Sequence, residues 1–579
     1  MEKYFKKKHI LILGLAIFSA LLVYIQGVRV LPLVDVTYQL SNAYRLNLGQ
    51  MPYVDFDLVL TPGTYYVMKW ILDLFGPQYF NQILLVAGTQ SINIILFYKV
   101  LKGFSDDYWI VFSACVVVAL TGFVIYAHPA YDIFASFFVL ISIYYAQILF
   151  KKDKSPIHFF VLGNFIFLPF VFKQNVGMIY MIAMFVTLGS LLWFSTDLKK
   201  RSKLVGLSLG LFFTSTVFIT WLCSFGAFHD FYAQTFLHAG KMRNVFDQAS
   251  YVLVSYVAIQ YIPFYLPVTA IMFLLWEKQN IVKNTFQNYY INNTILLFVK
   301  YMLPISLIVV FILTPIIGFL VSEKFQNSFI QSSLNYYSGV WPLVISLSII
   351  CLVISIVSGN FRKNSFETFL CIPIIVTMNA AFLSQGFYGS SYSLWPLWAI
   401  LLVIIFNVLR KIKVIEHLRS SILFVILCVI CAHMVEDYKN SRLGFINLKG
   451  SSEVSQSNYL EYLSTPGDWL KNLDKILNFI KTEIPKDDKY LSIPGEDPLH
   501  FLSDRVHPLK YFQFNSITLM HDLDRVRKDI LDNEVNWILV KTETQSPGAY
   551  IEYEELLNDL RSEFWMYKNI GKYQVYKKY

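Results

Sequence analysis

Residues 29–78 carry the densest set of side chains able to do chemistry: RVLPLVDVTYQLSNAYRLNLGQMPYVDFDLVLTPGTYYVMKWILDLFGPQ, with the carboxylates of Asp35, Asp55 and Asp57, the phenol of Tyr38 and the guanidinium of Arg45. Asp35 falls a few residues past an apolar run, where a carboxylate at a bilayer surface can take a proton from a hydroxyl while lipid-borne material lies alongside. It can equally cap a helix beginning near Val36; spacing leaves both readings open. His128-Pro129-Ala130-Tyr131-Asp132 joins two further apolar runs, with Asp132 placed either as a cap or as a second acid. Lys173-Gln174-Asn175, followed by Gly177, joins two more. A lysine there either snorkels from the helix end or offers a cation to an anionic ligand. The stretch 226–250 adds His229, Asp230, His238, Lys241 and Arg243. Such cations can hold a phosphate, an arginine bidentately, or bind ordinary lipid head groups. Gln385 to Trp395, with glycine, serine and aromatics, is a weaker candidate for a sugar-lined pocket.

These groups need a scaffold, and the composition says which kind. Of 579 residues, 56% are hydrophobic and 15% charged, against ~25% charged in soluble domains. So few charges cannot coat a soluble particle of this size, and such hydrophobicity excludes a disordered chain. A span needs ~20 mostly apolar residues. Thirteen runs qualify: 9–28, 79–98, 108–127, 133–150, 157–172, 176–195, 204–225, 251–276, 301–320, 337–357, 366–384, 394–409 and 420–435. The expected fold class is an α-helical polytopic membrane protein. The first run follows Lys6-Lys7-Lys8 without a small-residue cleavage site and reads as an anchor.

Charge orients the bundle. With the N-terminus in the cytoplasm, inner segments collect 22 Lys+Arg and short outer loops seven, the asymmetry that positive loops impose. Residues 1–435 carry a balance of +13 and residues 436–579 one of −4. An odd number of spans puts that acidic tail outside, so the basic balance speaks for a membrane and against nucleic acid. Asn292-Asn293-Thr294 then lies inside, away from glycosylation. All six cysteines lie in apolar runs, where Cys428 and Cys431 read as small packing residues.

Val34 to Leu48 fits a helix ended by Gly49 at its C′ position. Asp35, Gln39 and Asn42 form one stripe, and Val36, Leu40 and Ala43 another. Thr61 to Phe75, with Tyr65, Tyr66, Trp70 and Phe75, fits a helix lying in the interface. The tail, 436–579, reads as a small α/β domain. Helices are expected over Pro466–Ile484, His521–Val535 and Ala549–Phe564, and strands over Tyr490–Ile493 and Trp537–Thr542.

The pieces Asp35–Tyr38, Gly49–Asp55, Pro62 and Leu74–Gly76 together resemble the integral-membrane C-type glycosyltransferases, and within them bacterial enzymes related to protein mannosyltransferases and the lipid A aminoarabinose transferase. The resemblance implies a GT-C-like bundle, a polyprenyl-phosphate sugar donor and a glycan, lipid or protein acceptor. It implies Asp35 as catalytic base in the first outer loop, Asp132 with His128 at the second acidic position, and Lys173, with Gln174 and Asn175, facing the donor phosphate. Many relatives carry Glu directly after the first acid; here Val36 stands there, so a divalent metal is only a possibility, and Asp55 or Asp57 is the available substitute. Around these, Arg45, Lys241 and Arg243 are further candidates for the phosphate, and Tyr38 and His238 for support. In the tail, Pro494-Gly495-Glu496-Asp497-Pro498 through Arg505 resembles a run in outer domains of related proteins, either a packed loop or an acceptor-recognition element.

The leaving phosphate monoester is already a stabilised anion, so the reaction needs a base and cations more than a general acid. Rival classes are a transporter or lipid flippase and a polysaccharide polymerase or ligase of the envelope. Transporters place charges at the bilayer midplane, and the spans here hold almost none.

Overall fold

The computed structural model describes residues 2–29, 33–121, 127–151, 154–193, 198–243, 365–385, parts of 396–404, 452–515, 518–544 and 553–579. The expected spans 251–276, 301–320, 337–357 and 420–435 lie outside the described residues, as do Asn292 to Thr294, Cys428 and Cys431 and nearly all of Gln385 to Trp395. The chain opens with α1 (Glu2–Gly27), α2 (Leu33–Asn47), α3 (Gly63–Phe75), α4 (Tyr79–Phe104), α5 (Tyr108–Thr121), α6 (Tyr131–Lys151), α7 (Pro156–Phe172), α8 (Gln174–Trp193) and α9 (Lys200–Ser224). Then come α10 (Phe228–Tyr232), a π-helical turn over Ala233–His238, α11 (Ala239–Arg243) and α12 (Ser365–Gln385). Five described helices are long and apolar enough to cross a membrane: His9–Gly27, Tyr79–Phe104, Tyr131–Lys151, Gln174–Trp193 and Lys200–Ser224. Pro156–Phe172 and Phe369–Ala381 are shorter apolar helices.

In the bundle α6 packs on α7, α7 on α8 and α9, and α4 on α1 and α6, with successive spans running in opposite directions. The ends that carry residues 27–79, 127–132, 172–175 and 224–243 therefore meet at one end of it. Gly177 allows one close approach at that end: a Cβ there would lie 2.1 Å from the Phe170 backbone nitrogen. Gly177→Ala is expected to shift the turn that carries Lys173 and to destabilise by about 1–3 kcal/mol. A lowered Tm of the solubilised protein checks this, and an unchanged one argues against it.

Residues 33–75, in the expected first outer loop, fold close to expectation. α2 ends where Gly49 takes φ +82°, the left-handed conformation that suits glycine at C′. α3 turns Tyr65 inward, 1% exposed, while Trp70, Leu74 and Phe75 face out at 59%, 73% and 64%. That apolar outer edge fits a helix lying along an interface.

The C-terminal region contributes β1 (Ser452–Val454), β2 (Ser464–Pro466), α13 (Trp469–Thr482), β3 (Lys489–Ile493), α14 (Leu499–Leu502), α15 (Leu523–Asp532), β4 (Val535–Lys541), α16 (Glu554–Asp559), β5 (Phe564–Ile570) and β6 (Tyr573–Lys578). Its main sheet has the order β3-β4-β6-β5, with β3 and β4 parallel and the other pairs antiparallel. Alternation sorts the strands' side chains onto two faces. Tyr490, Trp537, Leu539, Tyr573 and Val575 pack with α13, whereas Leu491, Ile493, Ile538 and Val540 pack with α15 and α16. The α13 cluster continues without a break into Val36, Leu40 and Ala43 of α2 and Met68 and Leu72 of α3. The apolar stripe of α2 is thus buried against the tail. Its polar stripe is left for the site.

Candidate active site

Asp35 lies in the first turn of α2, and it is exposed. One turn on, Tyr38 is buried, and its hydroxyl accepts from the Val59 amide at 3.3 Å. Burial raises the Tyr38 phenol far from ionisation, so it acts as a neutral hydrogen-bonding group. The Val59 carbonyl in turn accepts from Gln174 Nε2 at 3.0 Å. Gln174 follows Lys173, whose ammonium is 2% exposed and forms an ion pair with Asp132. The same ammonium sits 4.9 Å from the centre of the Tyr131 ring. One continuous set of contacts therefore runs from the helix of Asp35 to the Lys173–Asp132 pair, joining residues nearly 140 positions apart. Sequence reading placed Asp132 and Lys173 at the same membrane face without pairing them.

Tyr65 fills the space between these two ends. It lies edge-on to Tyr38 at 6.2 Å, and Asp35 and Tyr131 are among the groups acting electrostatically on its phenol, which burial raises well above the usual range. Its hydroxyl, with Gln39 Oε1, Thr61 Oγ1, Thr64 Oγ1 and Gln174 Oε1, finds no hydrogen-bond partner among the described residues. Tyr65 and Gln39 were visible only as an interfacial aromatic and a stripe member, a pattern with nothing to mark them as site residues. His128 is fully buried, and burial pushes its imidazole down to about 4. It is neutral at physiological pH, a hydrogen-bonding group instead of a cation. Asn175 Nδ2 donates to the Ala380 carbonyl at 3.1 Å and so fastens α8 to α12.

Arg45 is engaged elsewhere than expected. It is 3% exposed, and its guanidinium donates to Gln50 Oε1 (2.7 Å) and to the carbonyls of Leu509 (2.9 Å), Lys510 (3.1 Å) and Asp55 (3.3 Å). Burial pushes it down to about 10, against the pull of Asp57 and Asp55, so it stays charged. With four of its five donors held by protein groups, Arg45 is a clamp and not a phosphate ligand. The Asp55 carboxylate accepts from the Met51 amide at 2.7 Å and closes its own turn. Asp57 accepts from His521 Nε2 at 3.0 Å. Both carboxylates are thus hydrogen-bonded to other groups. Gln234, in the π-helical turn, donates to the Tyr53 carbonyl (3.1 Å) and accepts from the Leu58 amide (2.8 Å), which brings the 226–243 stretch onto the first outer segment. In that stretch His238 is half-buried and Lys241 exposed; the Arg243 side chain lies outside the described residues. Among the described residues no three of His, Cys, Asp and Glu converge as a metal ligand set, so no residue is assigned to a metal.

The His521–Asp57 pair gives a pH prediction. Asp57, hydrogen-bonded to the ring, raises the His521 pKa above its ordinary value, opposed by burial. A raised folded pKa stabilises fully below the unfolded value of ~6.5, and the contribution disappears as pH rises through the folded value. The Tm advantage of the wild type over His521→Ala is expected below pH 6 and should shrink by pH 8.5. Melting curves across that range check it, and a constant difference would contradict it.

No protein-family model matches the chain, and no curated protein matches it. Among solved structures it is similar to an oligosaccharyltransferase of Archaeoglobus fulgidus crystallised with zinc and sulfate, with TM-score 0.47 and 11% identity over 97% of this chain and 73% of that one. It is also similar to ArnT from Cupriavidus metallidurans, both in the apo state (TM-score 0.42) and bound to undecaprenyl phosphate (TM-score 0.40). Each ArnT match has 11% identity and covers 97% of both chains. Likenesses this distant assign no residue a role, and the ligands belong to those proteins.

Proposed function

We propose that the protein is a membrane glycosyltransferase that moves a sugar from a polyprenyl-phosphate donor to a hydroxyl of a glycolipid, polysaccharide or protein. The reaction takes place at the outer face of the cytoplasmic membrane and inverts the anomeric centre. In this reading residues 1–435 form the catalytic bundle of thirteen spans, the N-terminus is cytoplasmic, and residues 436–579 stand outside. The observation that carries the proposal is the run of contacts from the Asp35 helix through Tyr38, Val59 and Gln174 to Lys173. It supports an exposed carboxylate and a buried cation acting together, the two charges such a transfer requires.

Asp35 takes the proton of the acceptor hydroxyl as its oxygen bonds to the anomeric carbon. The bond from that carbon to the phosphate oxygen breaks, and the polyprenyl phosphate leaves with the electron pair. Lys173, aimed by Asp132 and Tyr131, stabilises the charge developing on that phosphate, and Lys241 and Arg243 are further candidates for binding it. Preorganised charge of this kind acts most strongly where water is excluded. Tyr38, Tyr65, His128 and Gln174 are neutral donors and acceptors suited to sugar hydroxyls. Entry of the donor sideways from the bilayer accounts for a sugar transferase being embedded in it. The test is mass spectrometry of lipids and glycans from a strain lacking the gene. One envelope glycan should lose a sugar while its polyprenyl-phosphate donor accumulates; an unchanged glycan and donor pool would overturn the proposal.

A further inference from the structure

Tail residues 509–513 lie along α2 in reverse order. Gln513 Nε2 donates to the Val34 carbonyl at 2.7 Å, the Phe512 ring stacks on Tyr38 at 5.8 Å, and the Leu509 and Lys510 carbonyls accept from Arg45. Val34, Tyr38 and Arg45 are four and seven residues apart and form one helical stripe. Eleven residues of helix advance roughly 16 Å, and the four steps from Leu509 to Gln513 reach at most roughly 14 Å. The segment therefore runs antiparallel down one face of α2 as a strap, held at both ends. A second hold comes from Thr37, whose hydroxyl donates to the Glu496 carbonyl. The Glu496 carboxylate is itself buried against Lys541 at 2.6 Å, which stiffens that loop. The loop also backs the strap: the Phe514 amide donates to the Pro494 carbonyl at 2.9 Å. Gly495, at φ +78°, comes so close that a Cβ would lie 1.8 Å from the Phe512 carbonyl oxygen.

Asp35 sits between Val34 and Thr37, the two residues of the first turn that the tail holds. A helix N-terminus frays when nothing fixes it, and a carboxylate there loses its aim. Proton transfer in a near-attack geometry tolerates little misplacement. We propose that the tail is a positioning element of the active site. Its strap 509–513, backed by residues 494–496, fixes the first turn of α2 and so directs the Asp35 carboxylate. Gln513 is the positioning residue. The inference rests on the base role proposed for Asp35 and gives the acidic tail a task other than acceptor recognition.

The test uses the full chain in proteoliposomes, with sugar transfer and thermal unfolding measured side by side. Gln513→Ala is expected to lower kcat about 10- to 100-fold, with an unchanged donor KM and a Tm within a few degrees of wild type. Gly495→Ala, whose added Cβ would press on the Phe512 carbonyl of the strap, should lower kcat in the same way. The double variant Asp35→Asn/Gln513→Ala should transfer no more slowly than Asp35→Asn alone, because a misaimed base that is already absent costs nothing further. Wild-type kcat for Gln513→Ala, or losses that multiply in the double variant, would overturn the strap and leave Asp35 in its role. Wild-type kcat for Asp35→Asn would overturn both.

Discussion

Asp35→Asn should cut sugar transfer by about a thousandfold or more, within the range general-base catalysis contributes, while expression and Tm stay at wild-type values. The amide is nearly isosteric with the carboxylate, and the side chain is exposed, so the substitution removes the charge with little change of shape. The donor KM should hardly change, because the base acts on the acceptor and not on the lipid phosphate. A variant that transfers at the wild-type rate would reduce Asp35 to a helix cap, and the contacts linking its helix to Lys173 would be structural.

Lys173→Met has the next largest expected effect, and it falls on two quantities. Transfer should drop about 10²- to 10³-fold, as when a stabilising donor to a developing anion is removed. Stability should drop by about 3–5 kcal/mol, because Asp132, 3% exposed, loses the ammonium it is paired with. The double variant Lys173→Met/Asp132→Asn separates the two. It should regain most of the lost stability by restoring neutrality, yet transfer as slowly as Lys173→Met alone. If the double variant regained transfer along with stability, the pair would be a buried ion pair of the bundle and no part of the chemistry.

How much of this was legible in the sequence depends on the range of the interaction. Helix α2, its Gly49 terminus and the inward and outward sides of α3 follow from local periodicity, and structure and sequence agree there to within two residues. The tail strands β3 and β4 were legible as short apolar runs, because a strand buried on both faces reads that way. The closing hairpin of β5 and β6 was missed: Ala549–Phe564 was taken as one helix, whereas the helix stops at Asp559 and a strand begins at Phe564. A signal was present in the Gly571-Lys572 turn between two aromatic, alternating runs. The pairing of Lys173 with Asp132 could not be read, since each sits at its own helix end and only the packing of α6 on α7 brings them together. Arg45 is the instructive case. Its charge and its place in the expected first outer loop suited a phosphate, but two of the three carbonyls that occupy it lie more than 450 residues away. No local pattern announces the strap 509–513 or His521, which acquire meaning only when the tail folds back on α2.

The most direct measurement reconstitutes the purified chain in liposomes with a radiolabelled polyprenyl-phosphate sugar and a hydroxyl-bearing acceptor fraction from the envelope. The account predicts that label becomes covalently attached to acceptor, that unlabelled polyprenyl phosphate is released in equal amount, and that Asp35→Asn abolishes both. Label that crosses the bilayer still joined to its lipid, with no covalent transfer by the wild type, would contradict it and mark the protein as a transporter.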